Sequence, residues 1–131
     1  MRTLTVGDSA QRSKRFTKQD LIDYIRLTGD QNPLHKMESG ECRFGAPIVH
    51  GMLLAGVISA LIGTQLPGPG SVYVSQEIRF IRPVFCGDTV TAICRVTQLY
   101  SDTKQARLRI TMRNQEDKLV LSGYAIVLPP A

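Results

Sequence analysis

The sequence predicts a single α+β domain in which a curved antiparallel sheet wraps around one long buried helix. Three observations carry that expectation. Helical periods lie before residue 70 and strand periods after it. The run from Met52 to Ile62 is apolar on every face, so it calls for burial all round. After Pro67-Gly68-Pro69-Gly70, four segments alternate apolar and polar residues, as a sheet with one solvated face requires. With 131 residues and no repeat, linker or low-complexity tract, one domain is expected over 1–131. A chain of that length buries roughly two thirds of its unfolded surface and needs no staple.

The basic N-terminal stretch, with Arg2, Arg12, Lys14, Arg15 and Lys18, lacks a signal-peptide apolar core and reads as structure running straight into a helix. Thr17 is a good N-cap, Asp20 stands where a capping-box acid belongs, and Phe16 with Leu21 can form the hydrophobic staple. Leu21, Tyr24, Ile25 and Thr28 follow the spacing of one helical face, and Gly29 is a natural stop. Pro33 then forces Asn32 out of the α region, so residues 30–35 form a turn or an extended piece. The second helix is expected from about His50 and Gly51 to Ile62. Its cover should come from the strands: Val72, Val74, Ile78 and Phe80 on one face, with Gln76 interrupting; Val90, Ala92, Cys94 and Val96; Ala106, Leu108, Ile110 and Met112; Leu119, Leu121, Ala125 and Val127.

Composition excludes several function classes. No apolar run approaches the ~18 residues of a membrane span. Cys42, Cys86 and Cys94 are odd in number and form no CxxC pair, so neither a disulfide framework nor a structural zinc site is expected. They read as reduced, half-buried packing residues. With only His35 and His50, a histidine-rich metal centre is excluded too. A formal net charge of +5 suits an anionic partner without selecting nucleic acid, and the absence of Trp argues against a single-strand stacking platform.

Four features could carry chemistry, and each has a structural counterpart. Asp30 and His35, five residues apart across a proline-stiffened turn, could hold and activate one water as base and acid; the alternative is an Asx turn beside a surface histidine. Val49-His50-Gly51 opens the apolar helix, whose unsatisfied N-terminal amides can hold a developing oxyanion, and Gly51 permits close approach to its own amide. A tight helix entry needs the same residues. Ser59 is a hydroxyl inside that apolar helix and more often bonds back to the preceding turn; no nucleophile elbow surrounds it. Arg79 and Arg82 around Pro83, with Arg107, Arg109 and Arg113 on one strand face, look like a solvated face, or a surface for a phosphate-bearing ligand or an acidic carrier protein.

Together, Leu27-Thr28-Gly29-Asp30-Gln31-Asn32-Pro33-Leu34-His35 and Phe44-Gly45-Ala46-Pro47-Ile48-Val49-His50-Gly51-Met52-Leu53 resemble the signature of the MaoC-like, (R)-specific enoyl-CoA hydratases. Leu66 to Tyr73, Gln76 to Pro83 and Gly87-Asp88 resemble that family as well, so the likeness runs over nearly the whole chain. It implies a hot dog fold, a homodimer joined through its sheets, and a cytoplasmic enzyme, or a mitochondrial-matrix one in a mature eukaryotic form. It implies that Asp30 and His35 are the catalytic pair, that the Gly51 amide is the oxyanion donor, and that Ser59 and His50 support them. It implies an acyl-CoA thioester substrate, with no metal, no cofactor, no nucleic-acid partner and no membrane. The chain departs from the pattern after His35: Lys36-Met37-Glu38-Ser39-Gly40-Glu41-Cys42 is shorter by a couple of residues and lacks the acid usual two places after the histidine. Competing readings are a 3-hydroxyacyl-carrier-protein dehydratase, a hot dog thioesterase and a catalytically silent acyl-thioester binding module. Because Asp30 and His35 lie outside the apolar stripes, replacing either is expected to open no cavity.

Overall fold

The computed structural model describes residues 3–36 and 46–131. Chain order is β1 (Ser9–Arg15), α1 (Lys18–Thr28), a 3-10 turn (Pro33–His35), α2 (Gly51–Thr64), β2 (Val72–Phe80), β3 (Thr89–Leu99), β4 (Ala106–Asn114) and β5 (Leu119–Leu128). The five strands make one antiparallel sheet in the order β1-β3-β4-β5-β2, and α2 lies against it. This is the hot dog arrangement that the sequence implied. Among the described residues no helix is long and apolar enough to cross a membrane.

Local chemistry accounts for α1 at both ends. The Thr17 hydroxyl accepts from the Asp20 amide, the Asp20 carboxylate accepts from the Thr17 amide, and Gly29 closes the helix at φ +78°. Phe16 and Leu21 are both buried, which anchors the entry to the core. The Thr17 amide holds the Asp20 carboxyl below its usual range.

The inner face of the sheet is legible from alternation in β3 and β4: Val90, Ala92, Cys94, Val96, Ala106, Leu108, Ile110 and Met112 are fully buried. They enclose Leu54, Ile58, Leu61 and Ile62 of α2, each contributing about 1.5–3 kcal/mol by leaving water. Cys94 is packed in this core, where burial pushes its thiol up to about 11, and Cys86 is half-buried beside it; both are free thiols.

Three expectations need correction. The N-terminal stretch does not run straight into a helix but first makes β1, an edge strand paired with β3; its sequence carries a single apolar residue, Ala10, and so shows no alternation. In β2, Val72 and Val74 do not share the inner face with Ile78 and Phe80. A bulge between Tyr73 and Ser75 shifts the register, so Tyr73, Gln76, Ile78 and Phe80 lie opposite the inner-face positions Val127, Ala125, Gly123 and Leu121, while Val72 and Val74 are exposed. Finally, α2 is not buried all round. Met52, Gly56, Ser59 and Gly63 form an open stripe, with Met52 64% exposed, because one sheet covers only one side of a helix.

The outer face of the sheet is cationic. Arg15, Arg79, Arg95, Arg107, Arg109 and Arg113 project there with one acid, Glu77. Arg95 stands directly opposite Arg109, an unfavourable like-charge pair. Tyr124 offsets it: Arg109 donates to its hydroxyl at 2.9 Å and the Arg107 guanidinium lies 4.0 Å over its ring.

Candidate active site

The site is built by a relay of caps. The Thr28 hydroxyl bonds back to the Tyr24 carbonyl and accepts from the Asp30 amide. The Asp30 carboxylate accepts from the Asn32 amide, and the Asn32 side chain caps the 3-10 turn by accepting from Leu34. The Asx turn weighed against a catalytic role is therefore present, and it is the device that positions Asp30. The same segment is clamped to the entry of α2: the Ile48 amide donates to the Leu34 carbonyl at 2.9 Å, and the Val49 amide donates to the Val84 carbonyl at 2.7 Å.

His35 is not a surface histidine. It is 8% exposed, and its Nδ1 lies 2.7 Å from the Ile48 carbonyl oxygen. A carbonyl only accepts, so Nδ1 carries a proton, and the neutral tautomer compatible with this bond has its lone pair on Nε2. Replacing His35 therefore removes a buried bond and a buried ring, contrary to the expectation of no structural cost. Its ring stacks on His50 at a centroid distance of 3.8 Å, and Tyr24 covers His50 at 4.5 Å. His50 is 1% exposed; its Nε2 donates to the Asp30 carbonyl at 3.4 Å, while Nδ1 is buried with no partner among the described residues. Burial, and then the neighbouring His35, push its pKa below the ordinary value. The depressed pKa disfavours charge on the His50 ring beneath His35.

One carboxylate oxygen of Asp30 and one ring nitrogen from each histidine lie within 4.8 Å of one another. Two groups that share one water stand about 4.6 Å apart when each bond is near 2.8 Å and the angle is tetrahedral. The cluster therefore has the span of a single bridging water. It is a poor cation cradle, because rings stacked at 3.8 Å direct their in-plane lone pairs side by side and not toward one tetrahedral centre.

His50 is also the N-cap of α2, without a side-chain cap bond, and the first helical bonds run from Leu53 and Leu54 to its carbonyl. The Gly51 and Met52 amides consequently face outward at the positive end of the helix. Gly51 lines a cavity of about 380 Å³ with His35, Leu54, Phe80 and Arg82, so the structure brings the Gly51 entry and His35 to one chamber. Ser59 is not part of it. It is exposed, about two turns along α2, and lines a neighbouring cavity of about 590 Å³ with Met52, Ala55, Gly56, Tyr73, Gln76, Ile78 and Phe80. The arginines separate likewise: Arg82 borders the His35 chamber and donates to the Leu119 carbonyl, whereas Arg79, Arg107, Arg109 and Arg113 are on the far face of the sheet. The Ile48 tether, the Tyr24 cover and the place of Phe80 carry no sequence signal beyond apolar or aromatic character. Cys42, the shortened stretch after Lys36 and the Phe44-Gly45 part of the motif lie outside the described residues.

Fold and site together define a hot dog protein with a carboxylate–histidine pair at the entry of its central helix. The chain belongs to the MaoC-like domain family, whose model matches residues 5–118. It is 43% identical over 130 residues to an (R)-specific enoyl-CoA hydratase of Aeromonas caviae, covering 98% of this chain and 97% of that one. It is 41% identical over 129 residues to a 3-hydroxybutyryl-CoA dehydratase of Methylorubrum extorquens, covering 97% and 82%. Among solved structures, an (R)-hydratase from A. caviae involved in PHA biosynthesis superposes with a TM-score of 0.93 at 42% identity, over 99% of this chain and 100% of that one.

Proposed function

We propose that this chain catalyses (R)-specific hydration of (E)-2-enoyl-CoA to (R)-3-hydroxyacyl-CoA, and the reverse dehydration. The observation that carries the reading is the single-water span between Asp30 and the histidines, in a loop clamped to the entry of α2, where Gly51 is the first helical residue. A 2-enoyl thioester is electrophilic at C3, and addition there moves charge onto the thioester oxygen. The Gly51 amide, backed by the helix dipole, stabilises that enolate; one such donor is typically worth about 3 kcal/mol. Asp30 and the His35 Nε2 hold the attacking water; one of them takes its proton as the C3–O bond forms, and that same proton is then passed to C2 on the same face, so both groups end the cycle as they began it. His50 supports them as a stacked platform under His35. Ser59 plays its supporting part from the adjoining cavity.

The relatives' names support the hydro-lyase assignment and the thioester substrate. We further propose a homodimer joined along β2, a sheet edge that exposes Val72 and Val74 beside the open Met52 stripe of α2. A cytoplasmic setting accords with the free thiols of Cys86 and Cys94.

The test is a hydration assay on short and long (E)-2-enoyl-CoAs and one crotonyl-carrier protein, with chiral analysis of product. The expected result is loss of enoyl absorbance without thiol release, mainly (R) alcohol, and CoA preferred over the carrier. Thiol release would indicate a thioesterase, and mainly (S) alcohol would refute the assignment. Sedimentation at micromolar concentration should show a dimer that persists under reducing agent.

A further inference from the structure

Phe80 is the last residue of β2 and lies opposite Leu121 on the inner face of the sheet, yet it is 50% exposed. Its ring tip touches the helix entry: a Cβ built on Gly51 would lie 2.9 Å from the Phe80 Cζ. The same ring lines both cavities, the chamber of about 380 Å³ that holds His35 and Gly51 and the apolar one of about 590 Å³ along the open stripe of α2. Gly51 and Leu54 share the first cavity with it, and Met52, Ala55, Gly56 and Ser59 share the second. The far side of the second cavity carries Tyr73, whose hydroxyl donates to the Gln76 side chain and whose burial pushes its pKa up to about 12, so this wall stays neutral. One aromatic side chain therefore stands between the chamber where a thioester would react and an apolar space large enough for an alkyl chain.

We propose that Phe80 is a specificity-determining partition: its ring confines the acyl chain to the first chamber and closes off the second, setting a preference for short acyl groups. The proposal rests on the thioester reading of the site. It also accounts for two features together. Gly51 lacks a side chain where the ring tip sits, and Phe80 is half exposed whereas Leu108, Ile110, Met112 and Leu121 on the same face are fully buried.

The experiment measures binding of the unreactive butyryl-CoA and octanoyl-CoA by calorimetry to the wild type, Phe80→Ala, Phe80→Leu and Phe80→Trp. Turnover of crotonyl-CoA and 2-octenoyl-CoA is followed in parallel. The wild type should favour the four-carbon ligand. Phe80→Ala should raise the octanoyl-to-butyryl affinity ratio by about tenfold or more, a discrimination typical of a few methylenes gaining or losing an apolar wall. Phe80→Leu should move it part of the way, and Phe80→Trp should leave the eight-carbon ligand as disfavoured as before or more so. An unchanged ratio in folded Phe80→Ala and Phe80→Leu proteins would overturn the partition, as would a wild type that binds both ligands equally. Because the ligands are saturated, these outcomes are read without turnover. Absence of hydration with either enoyl-CoA would count against the reaction assignment and leave the affinity ratio to decide the partition.

Discussion

At the scale of single residues, the consequential distinction is between Asp30, exposed on a capped loop, and His35, buried and tethered to Ile48. Asp30→Asn keeps the acceptor that holds the Asn32 amide while removing proton-transfer capacity, so turnover of crotonyl-CoA should fall by about 10²–10⁴ with little change in melting temperature. His35→Gln should lose activity to a similar degree and in addition about 1–3 kcal/mol of stability, because the Ile48 carbonyl loses a buried partner. Since both groups act on one water, the double variant should be little slower than either single one. Substantial activity in a well-folded Asp30→Asn protein would sink the pair. His50 supplies a pH test. Its folded pKa is depressed below the ordinary 6.5, so the unfolded chain binds the proton first and stability must fall as pH drops from that value toward the folded one. Thermal unfolding followed downward from about pH 7 should show this slope, flattened in His50→Gln. The residue types at 30, 35 and 51 were legible in sequence because turn and helix-entry chemistry is local. The depth of His35 was not, since it depends on Ile48 and Val84, which the fold brings from elsewhere.

At the scale of elements, the ends of α1 were read correctly, α2 runs on to Thr64 past the expected Ile62, and strand faces were read only in part. Thr17, Asp20 and Gly29 act within one turn of themselves, so α1 could be drawn from eleven residues and their caps. β1 has no apolar rhythm and exists because β3 offers its edge; main-chain pairing recruits a sequence that propensity would leave open. Further along the β2–β5 pair, Gly123 of β5 sits so close to β2 that any Cβ there would overlap the Glu77 carbonyl oxygen. Gly123→Ala must push β2 away from β5. A cost of about 1–3 kcal/mol, the usual penalty of overpacking, should appear as a lower denaturation midpoint. Because β2 carries Phe80, that shift should also weaken thioester binding. An alanine variant with wild-type stability and binding would show that the strands are not in this close contact.

For the whole molecule, the division into helical and strand halves was visible apart from β1, and so was the need for a buried helix. What patterning could not show is that one sheet covers only half of α2. The apolar run reads the same whether its second side faces a partner or solvent, and the stripe of Met52, Gly56, Ser59 and Gly63 is the visible result. Both cavities lie on the helix side of the sheet with Arg82 at the rim of one, and the six outer-face arginines lie on the other side.

The six outer-face arginines and single glutamate match in size the formal excess of +5 carried by the whole chain. The centre of charge is therefore displaced from the centre of mass, and the protein behaves as a macroscopic dipole whose positive pole is the sheet. On a sulfonated support at low ionic strength it should settle sheet-down, in one orientation, with the helix entry facing the liquid. Beads loaded this way should retain most of their hydration activity, and raising salt toward physiological strength, where screening shortens to about 8 Å, should release the protein. Replacing Arg95 and Arg109 with glutamine should elute it earlier at unchanged turnover.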